Sequence, residues 1–468
     1  MVKHAPFLIV LVAPLVFGGC SLAPEYQRPE MPVAAEWTTS SAQSTAASAA
    51  RSVSDLGWQD FFTDPQLQAI ISKALINNRD LRESALNVQS YQAQYRIQRS
   101  ALLPAISANG EYAKQRTLSG QYYVTGEAYS LDVGTTSYEI DFFGRVRNLN
   151  EQALEQYLSM EATQKSSHIS LVAEVARAYL TLLADRELLA LTEQTCASEQ
   201  ASYDLIQKRF NEGIATQIDL AQAQTSLQSA KANQAQYRRQ VEQDINQLTL
   251  LAGSPVTEVL PKESSLSSQE LLCPLPTGLS SNVLLQRPDI MAAEHDLKGA
   301  NANIGAARAA FFPTIGLTAK AGVLSTEMGQ LFDGSSGTWL FAPTITVPLF
   351  TGGKLQAQLD VAEIRKETAI ARYEKAIQAA FQETADALAG TATYGDQVQA
   401  RLLGLRANQD YYNLAKNRYE QGVDSYLVLL DAQRSLYSAR EAAVSVRLAQ
   451  LVNQVNLYKA LGGGWKAR

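Results

Sequence analysis

The stretch KRFNEGIATQIDLAQAQTSLQSA, residues 208–230, returns as NRYEQGVDSYLVLLDAQRSLYSA at residues 417–439. Arg209 recurs as Arg418, Gly213 as Gly422, Ala223 as Ala432, Gln224 as Gln433 and Leu227 as Leu436, each 209 residues further on. The same displacement joins Asp80 to Asp289, Pro104 to Pro313 and Gly253 to Gly462. A displacement that does not drift means that one unit was duplicated with few insertions. Two long copies form an internal pseudo-symmetry and not a solenoid, which needs three or more short units to bury its core.

The flanks say what the repeated stretch is. From Val146 to Asn211 there is neither proline nor glycine, and a helix of that length runs roughly 100 Å at 1.5 Å per residue. No single globule hides such a rod, so it must lie in a coiled coil or a bundle wall. Glu212-Gly213 breaks it, Thr216 can cap the helix that follows from Ile218 to Leu251, and Gly253 ends that one. The stretch is therefore the tip of a helical hairpin. A second hairpin has its tip at Gly422, between residues 354–420 and 425–461, with Gly390, Gly395 and Gly404 read as exposed.

Upstream of each hairpin the period changes. Asp64-Pro65 opens a helix as N-cap and first helical residue; it breaks near Asn77-Asn78, resumes at Leu81 and stops at Pro104. Ile106, Ala108 and Tyr112 then alternate with polar residues, a loop over 117–127 reverses the chain, and Tyr129, Leu131 and Val133 alternate again. The apolar phase flips to Tyr138, Ile140 and Phe142, the mark of a β-bulge. In the second copy Ile315 to Val323 and Trp339 to Leu349 repeat the pair of strands around a loop at 325–337.

With 40 Lys+Arg against 46 Asp+Glu, a net charge of −6 and no basic block, the chain offers no footing for nucleic acid. The only apolar run of membrane type is at the extreme N-terminus, which excludes a bundle of membrane helices. Three cysteines without CxxC spacing argue against a disulfide framework or a zinc site. Three histidines, His4, His168 and His295, come without HExxH, a nucleophile elbow or a phosphate-binding glycine loop, so no enzyme is expected.

Lys3 and His4, the apolar run Phe7–Phe17 and Gly18-Gly19-Cys20 have the order of a secretory signal. Cysteine after small residues resembles the lipobox of bacterial lipoproteins, in which Cys20 would carry the covalent lipid, and Ser21 in place of Asp points to the outer membrane. The division expected is a signal peptide over 1–19, a lipidated arm over 20–63, a first repeat over 64–253, a Pro- and Ser-rich connector over 254–280, a second repeat over 281–462 and a tail over 463–468.

Four amphipathic strands per chain suit a membrane barrel with lipid outside and water inside. Four cannot close, and open edges are not tolerated in hydrocarbon, so several chains must share one barrel. Eight strands would leave an interior filled by side chains, whereas twelve leave a water path. The polar strand faces favour three chains. A soluble sheet capping a helical bundle is the alternative.

RFxxGxxxxxDLxxAQ at 209–224 and RYxxGVxSxLxLLDAQR at 418–434 resemble the TolC-type outer-membrane efflux channels. DFFGRVR (141–147), QRPDI (286–290), ANIGAARAAFFP (302–313), LYKALGGGW (457–465) and Cys20 are similar to the OprM-like lipoprotein branch that serves tripartite multidrug pumps. The resemblance covers essentially the whole mature chain. It implies a mainly α homotrimer, with a twelve-stranded β-barrel joined to a twelve-helix periplasmic α-barrel. It also implies a periplasmic adaptor, an inner-membrane RND-type transporter as partner, and no cofactor besides lipid. By the same resemblance Leu427 and Asp431 fall on the constricting positions of the second tip. Three Leu427 side chains would dewet the throat there, and three Asp431 carboxylates would form a charged ring. Arg209, Gly213, Arg418 and Gly422 are candidates for docking, with Asp424 near Arg418 as an intramolecular latch. Two other functions share these rods: a conduit for protein secretion, and a periplasmic coiled-coil scaffold or adhesin.

Overall fold

The computed structural model describes residues 21–37, 57–260, 266, 269 and 280–463. Cys20, Cys273, the signal segment and most of the connector lie outside them. The described chain forms two units: residues up to 31 with 86–162 and 291–375, and residues 32–85 with 163–290 and 376–463.

Duplication is visible element by element. Helix α3 (Arg79–Ser100) returns 209 residues later as α6 (Pro288–Ala309), α4 (Arg145–Asn211) as α7 (Lys354–Glu420), and α5 (Gln217–Ala252) as α8 (Tyr426–Ala460). Both long helices have 67 residues. Ahead of them stand a short α1 (Trp58–Phe61) and α2 (Pro65–Asn77). Asp64 caps α2 by accepting from the amides of Gln66 and Leu67, and Asn78 separates α2 from α3 by accepting from the amide of Leu81.

The first unit carries one antiparallel sheet in chain order, β1 (Ser107–Ser119), β2 (Tyr122–Ile140), β3 (Thr314–Ser325) and β4 (Gly337–Thr346). The expected loop over 117–127 is instead strand. Pairing continues to Ser119 and Tyr122, and Gly120, at φ +67°, makes the turn. Period-2 alternation fades there because both faces are exposed, so burial no longer dictates side-chain type. The phase flip is a bulge: the β2–β3 register shifts between Thr135 and Tyr138, around Ser137 at φ +58°. That extra residue keeps Val133, Tyr138 and Ile140 all opposite apolar partners Ala321, Leu317 and Ile315. On the opposite face Asp132 accepts from Asn109 at 3.2 Å and meets Lys320 at 3.4 Å.

An N-terminal arm lies in the same unit. Ser21 donates to Asn148 Oδ1, Asn301 donates to the Pro24 carbonyl, and Arg28 grips Glu294 with both carboxylate oxygens at 2.9 Å. Gly305 is required beneath the arm, since a Cβ there would stand 2.7 Å from the Ala23 nitrogen.

The second unit holds the main apolar core. Phe61 stacks on Tyr458 at 4.1 Å, with Ile70, Ile71, Val175, Leu182, Leu248 and Val455 around them. Arg287, buried, donates to the Ala460 carbonyl, Asp289 and Glu383. Of the glycines read as exposed within α7, Gly390 is not free: a Cβ would collide with the side chain of Asn453.

Candidate functional site: the paired hairpin tips

Both tips end their long helix in the same way. Gly213 (φ +77°) donates to the Phe210 carbonyl and Ile214 to that of Arg209; Gly422 (φ +74°) donates to Tyr419 and Val423 to Arg418. This is the Schellman closure, whose left-handed residue is cheap only for glycine. The helices leaving the tips differ. Thr216 and Asp219 form a capping box at the start of α5, whereas Ser425 makes no side-chain cap on α8.

A small apolar cluster joins the hairpins: Ile206, Ala223, Tyr426, Leu429 and Leu430 are buried against Tyr203, Leu220, Tyr412 and Tyr419. Arg209 reaches across, donating to Tyr419 Oη at 2.9 Å with its guanidinium carbon 5.4 Å from the ring centroid. Arg418 stays within its own tip, gripping Asp424 at 2.7 and 3.0 Å. That bidentate pairing holds the Asp424 carboxyl below the usual carboxylate range. Ile214 and Val423, beside the two glycines, are exposed.

Leu427 lies in the first turn of α8 with 56% of its surface exposed, and Asp431 follows one turn later on the same side of the helix. Asp431 accepts from Tyr411 Oη at 3.2 Å. Reasoning from residue order missed Tyr411 and Tyr419. The signal available for Tyr419 was its mismatch with Phe210 in an otherwise faithful repeat. Among the described residues no group of acids, histidines and cysteines is arranged to hold a metal ion, and no helix is long and apolar enough to cross a membrane.

A sheet of membrane-barrel character, two helical hairpins of great length and paired tips define a class, the outer-membrane channels. The chain belongs to the outer membrane efflux protein family, whose model matches residues 70–254 and 279–463. Both boundaries of the second block lie 209 residues beyond those of the first. The chain is 50% identical over 463 residues to a toluene efflux pump outer membrane protein, TtgC, of Pseudomonas putida, covering 98% of this chain and 95% of that one. It is 41% identical over 465 residues to the cation efflux system protein CusC of Escherichia coli, covering 99% of each. It is also similar to the open state of the MtrE outer membrane channel of Neisseria gonorrhoeae. There the TM-score is 0.86 and the identity 42%, with 96% of this chain and 99% of that one covered. The protein is an efflux channel of the outer membrane.

Proposed function

We propose that three copies of this chain form the passive exit duct of a tripartite pump, fed by an inner-membrane RND-type transporter through a periplasmic adaptor. The observation that carries this is the open sheet. Among the described residues the outer edges of β1 and β4 pair with no further strand, and Trp339, Phe341 and Ile345 on one face of β4 are exposed. An open edge has no place in hydrocarbon, and three such sheets supply a twelve-stranded wall around water. The duct lowers no chemical barrier; it needs a gate and a docking surface.

Leu427 and Asp431 are assigned to the gate, where an apolar constriction and a ring of carboxylates act in series. The tip residues Arg209, Gly213, Arg418 and Gly422 are assigned to docking, with Ile214 and Val423 as apolar contacts beside them. The Arg418–Asp424 pair serves as a latch on the second tip. Cys20 carries the lipid anchor, a reading supported by its place after the apolar run Phe7–Phe17 and Gly18-Gly19.

Toluene efflux in one relative and cation efflux in another favour small toxic compounds as cargo. Reconstitution into planar bilayers tests the duct: conductance with the mass of a trimer is expected. A monomeric protein that conducts nothing would point to a scaffold. Loss of the protein should lower resistance to several unrelated apolar toxicants in a strain without redundant channels.

A further inference from the structure

The sheet of the first unit has one apolar face, and that face changes character along β2. Tyr129, Leu131 and Val133 stand on it before the bulge, Tyr138 and Ile140 after it. From Ile140 back to Tyr129 is eleven steps along the chain, one of them taken by the bulge. At about 3.4 Å per residue and a tilt near 40°, the row covers about 25 Å along a membrane normal. That is the height of the apolar band of an outer-membrane barrel.

Tyr129 closes the band. Its ring lies 4.8 Å from that of Tyr112, its partner on β1, and its hydroxyl donates to Glu127 Oε2 at 3.3 Å. The polar end of the phenol therefore points away from the apolar row, as at a boundary between hydrocarbon and headgroups. Two and four residues past Tyr112, on the same face of β1, come Lys114 and Arg116, about 5 and 10 Å above the band. Both are exposed. Lys114 meets Glu127 at 2.5 Å, and the Arg116 guanidinium carbon stands 4.7 Å from the centre of the Tyr123 ring. Among the described residues Arg116 has no hydrogen bond or ion pair, so Tyr123 holds the face of the guanidinium and its N–H edge is open. The strip leads to the turn at Gly120, whereas the helices join the other ends of the strands.

We propose that this strip of β1 and β2 binds the phosphate of an outer-leaflet glycolipid, with the acyl chains lying along the apolar row of β2. The site rests on the barrel reading above, in which the apolar face meets lipid and the Gly120 turn faces outward. The outer leaflet of a bacterial outer membrane is built of phosphorylated glycolipid, so phosphate is the anion present at this depth. The planar guanidinium of Arg116 matches it in charge and in donor geometry. Lys114 is a second cation that Glu127 already occupies, and Glu327, two residues past the β3 partner of Tyr129, accepts from Gln330. These two acids keep the affinity modest and leave Arg116 as the main contact. Lys320 is no rival, since it lies on the polar face beside Asp132 at 3.4 Å.

The test is native mass spectrometry of the purified full-length protein in detergent, with lipid A, a bis-phosphorylated acylated disaccharide, as the probe. Saturable adducts are expected, and lipid A stripped of its phosphates should bind at least about tenfold more weakly. Arg116→Gln, at an exposed position, should weaken binding about fivefold, and Glu127→Gln, which frees Lys114, should strengthen it about two- to fivefold. Lys320→Gln on the polar face should leave it unchanged. Planar-bilayer conductance of the same preparations separates two failures. A protein that neither assembles as a trimer nor conducts brings down the barrel reading and the site with it. A conducting trimer that binds both forms of lipid A equally, or binds lipid A unaltered after Arg116→Gln, overturns the site alone. Equal loss in Lys320→Gln, or displacement by millimolar inorganic phosphate, overturns it as well.

Discussion

Arg209 at the end of α4 donates to Tyr419 Oη at 2.9 Å and so ties the first hairpin to the second. The repeat supplies no mirror image of this bond. The counterpart of Tyr419 is Phe210, which has no hydroxyl, and the counterpart of Asp424 is Ala215, which has no charge. Two tips with one backbone closure are therefore held by different side-chain bonds. Tyr419→Phe keeps the ring under the guanidinium but removes the acceptor, a loss of about 0.5–1.5 kcal/mol. If the tie holds the tips together, open probability in planar bilayers should rise roughly two- to tenfold. Unchanged single-channel records would remove the tie from gating.

The gate assignment has its own test. Leu427→Ala and Asp431→Asn should each raise single-channel conductance, the first by wetting the throat and the second by removing the ring of charge. Asp431→Asn should also reduce cation selectivity. Wild-type conductance and selectivity in both variants would place the constriction elsewhere.

A side chain at position 305 has no room. A Cβ there would stand 2.6 Å from Asn148 Nδ2 and 2.7 Å from the Ala23 nitrogen, so Gly305→Val should lift the arm off α6 while sparing the core. Cleavage after Glu25 by a glutamyl endopeptidase should accelerate about tenfold or more, since proteolysis follows the population of the open arm. Equal cleavage in both proteins would mean that the arm is held by other contacts.

Asp185 on α4 faces Asp244 on α5, and burial together with that neighbouring charge pushes the Asp244 carboxyl up to about 7. An acid whose folded pKa is raised holds its proton more tightly when folded. Stability is therefore fullest below the ordinary carboxylate range and declines as pH rises from about 4 through 7. The melting temperature should fall by roughly 1–3 °C between pH 5 and pH 7.5, an effect kept small by the partial exposure of the pair. Asp244→Asn should abolish most of that fall, and a variant with the same pH profile as the parent would show the pair to be silent.

Arg287 is buried between the Ala460 carbonyl, Asp289 and Glu383. Replacing it with Met should cost roughly 2–4 kcal/mol, because an acceptor and two carboxylates lose their donor together, although both acids remain partly exposed. Denaturant unfolding of the detergent-solubilised protein measures this. A change under about 0.5 kcal/mol would make Arg287 a surface residue in effect.

The backbone plan was legible in residue order because it rests on local physics. Helices α4 and α7 run until Gly213 and Gly422 supply a left-handed residue, and Asp64 and Thr216 announce helix starts. The flipped apolar phase at Thr135–Tyr138 marks the bulge, since side chains alternate across a strand whatever surrounds it. The 209-residue displacement needed no coordinates at all. Residue order did not reveal how far β1 and β2 extend, because strands exposed on both faces have no burial to impose a period. Nor did it reveal that Arg209 meets Tyr419, that Asp431 meets Tyr411, or that Gly390 rests on Asn453. Each of those joins residues tens to hundreds of positions apart. A hydrogen bond a few ångströms long is decided by packing that no local periodicity encodes.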